Sequence, residues 1–117
     1  MAAIDKYFRL AKQIALKGDT QEAIRQFRLG AVGIRNDGTI VTANNIPNRT
    51  REPAAHAEAR LARKLDWDSV VYVVRIYSDG TLALARPCRN CQKVLRLKGV
   101  RRVYYSISET EFGVLVL

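Results

Sequence analysis

Apolar positions near the start of the chain recur at helical spacing. In "IDKYFRLAKQIALKG", Ile4, Phe8, Ala11 and Ala15 fall on one stripe, which predicts a first helix ending at Gly18. Asp19, with Glu22 three residues on, resembles a capping box for a short helical turn. The pattern then changes period. "FRLGAVGIR" and "TIVTA" read as strands separated by "NDG", a hairpin signal, and Gly30 and Gly33 inside the first run imply a bulge or a close backbone approach. After the polar stretch "NNIPNRTRE", Pro53 stands at a first helical position and "PAAHAEARLARKL" continues as a helix. "SVVYVVRIY" is apolar at successive positions, as a strand covered on both faces would be. "SDG" turns the chain, and "TLALA" runs extended to Pro87. A third helix is expected from about Cys88 to near Gly99, where glycine suits the left-handed position after a helix end. "VRRVYYSI" and "FGVLVL" are the last strands, and the "SETE" between them is too short for a crossover.

The order α-β-β-α-β-α-β-β predicts an α/β fold. Its centre is a mixed five-stranded sheet with helices on both faces, an α-β-α sandwich whose last two strands are antiparallel. A chain of 117 residues, 48% of them apolar, fits one domain over residues 1–117 with a core of its own. No apolar run approaches the roughly 20 residues of a membrane span, and the charged N-terminal stretch is unlike a signal peptide. The expectation is a soluble, cytoplasmic protein without membrane partners. Two cysteines in one C-x-x-C cannot form a disulfide framework, which agrees with a reducing compartment.

Charge sharpens the picture unevenly. The formal net charge is +9, and no acidic residue lies between Asp79 and Glu109, an interval that holds Arg86, Arg89, Lys93, Arg96, Lys98, Arg101 and Arg102. Such a field attracts phosphate, on a nucleotide or a nucleic acid. It also serves as a solvated, solubilising face, and charge alone does not separate the two.

The scarcest residues carry the chemistry. His56 is the only histidine, Glu58 lies two residues on, and Cys88 and Cys91 are the only cysteines. Two cysteines at a helix start share one face, and the positive helix end favours their thiolates. A closed structural zinc site wants four protein ligands, usually Cys and His, and this chain has three of that kind. Three ligands with a vacancy describe a catalytic zinc whose fourth position holds water. Glu58, in a first helical turn, is placed to carry a proton. Three other readings stay open: a dipole-favoured surface Glu58, a structural zinc with a carboxylate ligand, and a redox-active C-x-x-C that leaves His56 unexplained.

His56-Ala57-Glu58 followed by Pro87-Cys88-Arg89-Asn90-Cys91 resembles the H-x-E…P-C-x-x-C signature of the zinc-dependent nucleobase deaminases, the cytidine and deoxycytidylate deaminase-like superfamily. "FRLGAVGIRNDGTIVTANNIPN" is similar to F-x-V-G-A…D-G-x-I-x-x-G-x-N-x-E-N of small cytidine deaminases, and "EPAAHAE" resembles "DPTAHAE"-like stretches of tRNA adenosine deaminases. The resemblance implies Zn2+ on His56, Cys88 and Cys91, and Glu58 as proton shuttle while hydroxide replaces the amino group of a cytosine-type base. It further implies the Ala57 N–H on the pyrimidine carbonyl, Asn45 on sugar or base, and Phe27 near the ring. Two positions depart from the pattern. The glutamate that grips the ribose of a free nucleoside is Pro47 here, and the first ligand is His, as in deoxycytidylate and nucleic-acid deaminases. Arg49 and Arg51 fall where a phosphate would lie on this register. The expected substrate is therefore a cytosine-containing nucleoside or nucleotide, with single-stranded nucleic acid second. A basic nucleic-acid-binding domain with a structural zinc is the competing class. The resemblance also implies a homo-oligomer, dimer or tetramer.

Overall fold

The computed structural model describes residues 2–17, 28–44, 57–77 and 79–117. Helix α1 runs Ala2–Leu16, followed by strands β1 (Arg28–Ile34) and β2 (Ile40–Asn44), helix α2 (Ala57–Ala62), strands β3 (Val70–Ile76) and β4 (Leu82–Ala83), helix α3 (Arg89–Leu97), and strands β5 (Arg102–Ser106) and β6 (Phe112–Val116). The sheet order is β2-β1-β3-β5-β6. β1 is antiparallel to β2 and β3, β3 is parallel to β5, and β5 is antiparallel to β6.

Alternation along the strands explains why both faces are covered. On β3, Val71 and Val73 join Leu61, Leu65, Leu95 and Val103 in a core beneath α2 and α3. Their neighbours Tyr72, Val74 and Ile76 point the other way, into a second core with Phe8, Ala11 and Ala15 of α1. A fully buried Val or Leu contributes about 1.5–3 kcal/mol, so a strand buried on both faces anchors the whole sheet. The sandwich is the one its sequence predicts, and Phe8, Ala11 and Ala15 of the expected stripe are its buried face.

Two of the β-hairpins, β1–β2 and β3–β4, share one device. Gly38 and Gly80 both take positive φ, 89° and 88°, after an aspartate. Asp37 Oδ1 accepts the Thr39 N–H, and Asp79 Oδ1 accepts the Thr81 N–H, both at 2.9 Å. The backbone closes alongside, Arg35 N–H to Thr39 C=O and Tyr77 N–H to Thr81 C=O. Short polar side chains and a Cβ-free residue are what such turns need. The second turn corrects the strand count. It folds Leu82–Ala83 back onto Arg75 and Ile76, so the sheet gains a short sixth strand beyond the five expected.

α2 is also shorter than its pattern. The helix stops at Ala62 instead of reaching Leu65, because the Lys64 N–H turns to Leu61 C=O and the Leu65 N–H to Ala62 C=O, a tightened final turn. Leu65 still packs in the core. The predicted helix start at Pro53, the end at Gly18 and the Asp19–Glu22 box lie outside the described residues. α3 matches its expectation closely, with Cys88 as N-cap and Gly99 at φ 81° just beyond Lys98. Among the described residues, no helix is long and apolar enough to cross a membrane.

Candidate active site

α2 and α3 lie side by side on one face of the sheet and run the same way. Their far ends meet where the Asp68 N–H donates to Gly99 C=O and Trp67 packs on Gly99. Their N-termini therefore sit together at the opposite end, which brings Glu58 of the first α2 turn to Cys91 of the first α3 turn.

Cys88 is extended (φ −67°, ψ 167°) and caps α3, its Sγ accepting the Cys91 N–H at 3.4 Å. Gln92 Nε2 donates back to Pro87 C=O at 2.8 Å, which fixes the Pro-Cys-x-x-Cys turn. The segment leading into it is held to β5: the Ala85 N–H bonds Ser106 C=O, and the buried Ser106 hydroxyl donates to Ala83 C=O. Cys88 is exposed, whereas Cys91 is fully buried and Glu58 is 4% exposed. Ala57 is buried beside Glu58 at the head of the described part of α2.

Electrostatics set a condition on this cluster. Burial, then the Glu58 carboxylate and the Cys88 thiol, push the Cys91 thiol well above its ordinary range, and a backbone hydrogen bond from Ala59 acts the other way. A buried thiol and a buried carboxylate, with the exposed Cys88 thiol beside them, disfavour negative charge on one another. A divalent cation reverses that balance and draws both sulfurs to the thiolate form. The donor set thus fits a zinc ion. Among the described residues no group of three such side chains is placed to hold a metal, and His56, the third expected ligand, lies outside them. Phe27, Asn45, Arg49 and Arg51 lie outside them as well.

Two supporting residues escape a sequence reading. Arg60 Nη1 donates to the Asn44 carbonyl at 2.6 Å and to its side-chain oxygen at 3.2 Å, and Lys64 Nζ donates to Thr42 C=O at 2.6 Å. Arg60 on α2 and Lys64 in the turn after it clamp the helix against β2, the strand that precedes Asn45 in the sequence. The only signal in the sequence is a pair of cations at i and i+4, with Arg63 between them, in the alanine-rich segment after Glu58.

The family model for the cytidine and deoxycytidylate deaminase zinc-binding region matches residues 1–107. The chain belongs to that family. Solved structures agree on the fold. The cytidine deaminase of Burkholderia pseudomallei superposes with a TM-score of 0.69 at 19% identity, covering 96% of this chain and 91% of that one. The cytidine deaminase of Mycobacterium leprae gives 0.62 at 19% identity, with 94% and 91% covered. That of Mycobacterium tuberculosis gives 0.60 at 20% identity, with 87% and 82% covered. No curated protein matches the chain in sequence. Identities near 20% establish the architecture, while the family match carries the deaminase assignment.

Proposed function

We propose that the chain is one zinc-dependent deaminase domain that hydrolyses the exocyclic amine of a cytosine-type base, presented on a nucleoside or nucleotide. The observation that carries this reading is the buried Glu58 carboxylate, in the first turn of α2, whose charge acts on the buried Cys91 thiol in the first turn of α3. His56, Cys88 and Cys91 would hold the zinc, which when bound lowers the pKa of water to about 7 and so makes hydroxide available.

The remaining work falls to the protein. Glu58 Oε accepts the proton of the attacking water, delivers it to the ring nitrogen, and later passes a proton to the departing amine. Water adds at the amino-bearing carbon, the C–N bond breaks, and a uracil-type base and ammonia result. The Ala57 N–H fixes the ring carbonyl, Asn45 the sugar or base, Phe27 the ring, and Arg49 and Arg51 a phosphate. Pro47 has no carboxylate with which to grip a ribose, which favours a substrate other than plain cytidine.

A second reading is a basic nucleic-acid-binding domain with a structural zinc, favoured by the exposure of every cation from Arg86 to Arg102. Ammonia release by the zinc-loaded protein separates the two. The panel is cytidine, deoxycytidine, their monophosphates and a short cytosine-containing single strand. Turnover of a cytosine substrate is expected, with a monophosphate ahead of its nucleoside. No product from any of them, with salt-sensitive oligonucleotide binding retained, overturns the deaminase reading.

A further inference from the structure

α3 has two different outer sides. Asn90, Val94, Leu97 and Lys98 face α2 across a groove. Arg89, Lys93 and Arg96, spaced i, i+4 and i+7, form a separate exposed stripe opposite the buried Cys91 and Leu95. At about 1.5 Å per residue the stripe is about 10 Å long. It starts beside Cys88, at the candidate active site, and ends at a second feature.

That feature is a hollow of about 270 Å³ whose lining includes Arg96, Arg101, Trp67, Gly99 and Leu117. The six-membered ring of Trp67 occupies the place that a side chain on residue 99 would need, its Cε3 only 2.2 Å from that Cβ position. The indole therefore lies against bare backbone, yet 75% of the residue faces solvent. One acid lines the hollow, Asp68, paired with Arg101 at 3.8 Å with both side chains about half exposed.

A solubilising face explains the cations but gives no reason for an open indole in a hollow that two arginines also line. Cations that follow a backbone, leading to an aromatic face, are the parts of a single-strand site. A duplex offers no free base faces to stack, and a deaminase needs its base unstacked. We propose that this stripe and Trp67 form a track for single-stranded nucleic acid, with phosphates on Arg89, Lys93 and Arg96 and a base stacked on Trp67. The track would extend the nucleotide substrate proposed above to a cytosine nucleotide carried in a strand, and it rests on that deaminase reading.

The test is equilibrium binding to the zinc-loaded protein, which does not depend on turnover. Trp67 is the chain's only tryptophan, so its fluorescence reports stacking directly. The probe is a labelled pyrimidine 12-mer followed by anisotropy, with heparin as a polyanion lacking bases. Saturable quenching by the 12-mer, and none by heparin, is the expected result. Trp67→Ala should weaken binding about tenfold, with Trp67→Phe restoring most of it. The double variant Lys93→Glu/Arg96→Glu should weaken it more than tenfold and flatten the salt dependence by about 1.4 in log–log slope, two phosphates' worth. Thermal melts and zinc content of the variants show that they are folded. Absent quenching, equal quenching by heparin, or wild-type binding by the charge-reversed variant overturns the track. Binding as expected with no deamination of any substrate leaves the track standing and removes the deaminase.

Discussion

Glu58 occupies a position where a carboxylate is costly. It is nearly inaccessible, and its neighbour Cys91 is a second acid that burial already keeps protonated. Burying such a pair serves packing poorly, since an alanine or leucine in the first turn of α2 would fill the space without the desolvation cost. On the proposed deaminase reading, the carboxylate is kept there to exchange protons beside a cation. Replacing Glu58 by Gln keeps its size and removes that capacity. Turnover should fall at least about 100-fold while zinc content stays stoichiometric, read by ammonia release and metal analysis on one preparation. A Glu58→Gln protein that still turns over would take the proton-transfer role from this residue. Glu58, Cys88 and Cys91 stand out as candidates because rare residue types occur at spacings that helix geometry makes meaningful. Arg60 and Lys64 do not, because their function is to reach the carbonyls of a strand whose position no local pattern reveals.

β1 shows how one element sets the spacing of the layers. On one face Gly30 lies so close to α1 that a Cβ would sit 2.1 Å from Ala11 O and 2.6 Å from Ala15 N. On the other face Gly33 receives Leu65, whose Cδ2 would be 2.4 Å from a Cβ. The first contact is with backbone and cannot be relieved by a rotamer change, whereas the second is with the end of a side chain. Gly30→Ala should therefore destabilise by about 3 kcal/mol, a fall in melting temperature of about 10 °C. Gly33→Ala should cost visibly less. Equal melting shifts for the two would mean that α1 can ride outward from the sheet. The sequence reading offered a bulge or a close approach for these glycines, and an unbroken register from Arg28 to Ile34 decides for close approach. The missed sixth strand and the early end of α2 share one cause. Two residues of pairing and one tightened turn are settled by tertiary contacts that periodicity does not encode.

At the scale of the molecule, the expected metal ligands join parts that the sheet keeps apart in sequence. Cys88 and Cys91 come from the head of α3, and His56 precedes the described start of α2, 32 residues before Cys88. A metal there ties two parallel helices together at one end, while Trp67 on Gly99 and the Asp68–Gly99 hydrogen bond join them at the other. On the proposed reading the donors come from two elements and meet only in the folded chain, so a bound metal would add to stability, by about 4 kcal/mol when free zinc is 1,000 times its dissociation constant. Chelation at neutral pH should accordingly abolish deamination and lower the melting temperature by roughly 10 °C, and stoichiometric zinc should restore both. The exposed Cys88 gives an independent readout, because its thiol should resist alkylation in the zinc-loaded protein and react after chelation, whereas Cys91 stays shielded by burial. A redox-active C-x-x-C behaves oppositely: oxidation would block alkylation, a reductant would restore it, and chelation would change neither activity nor melting. Melting and activity that ignore chelation would therefore remove the zinc, and with it the deamination chemistry that depends on it.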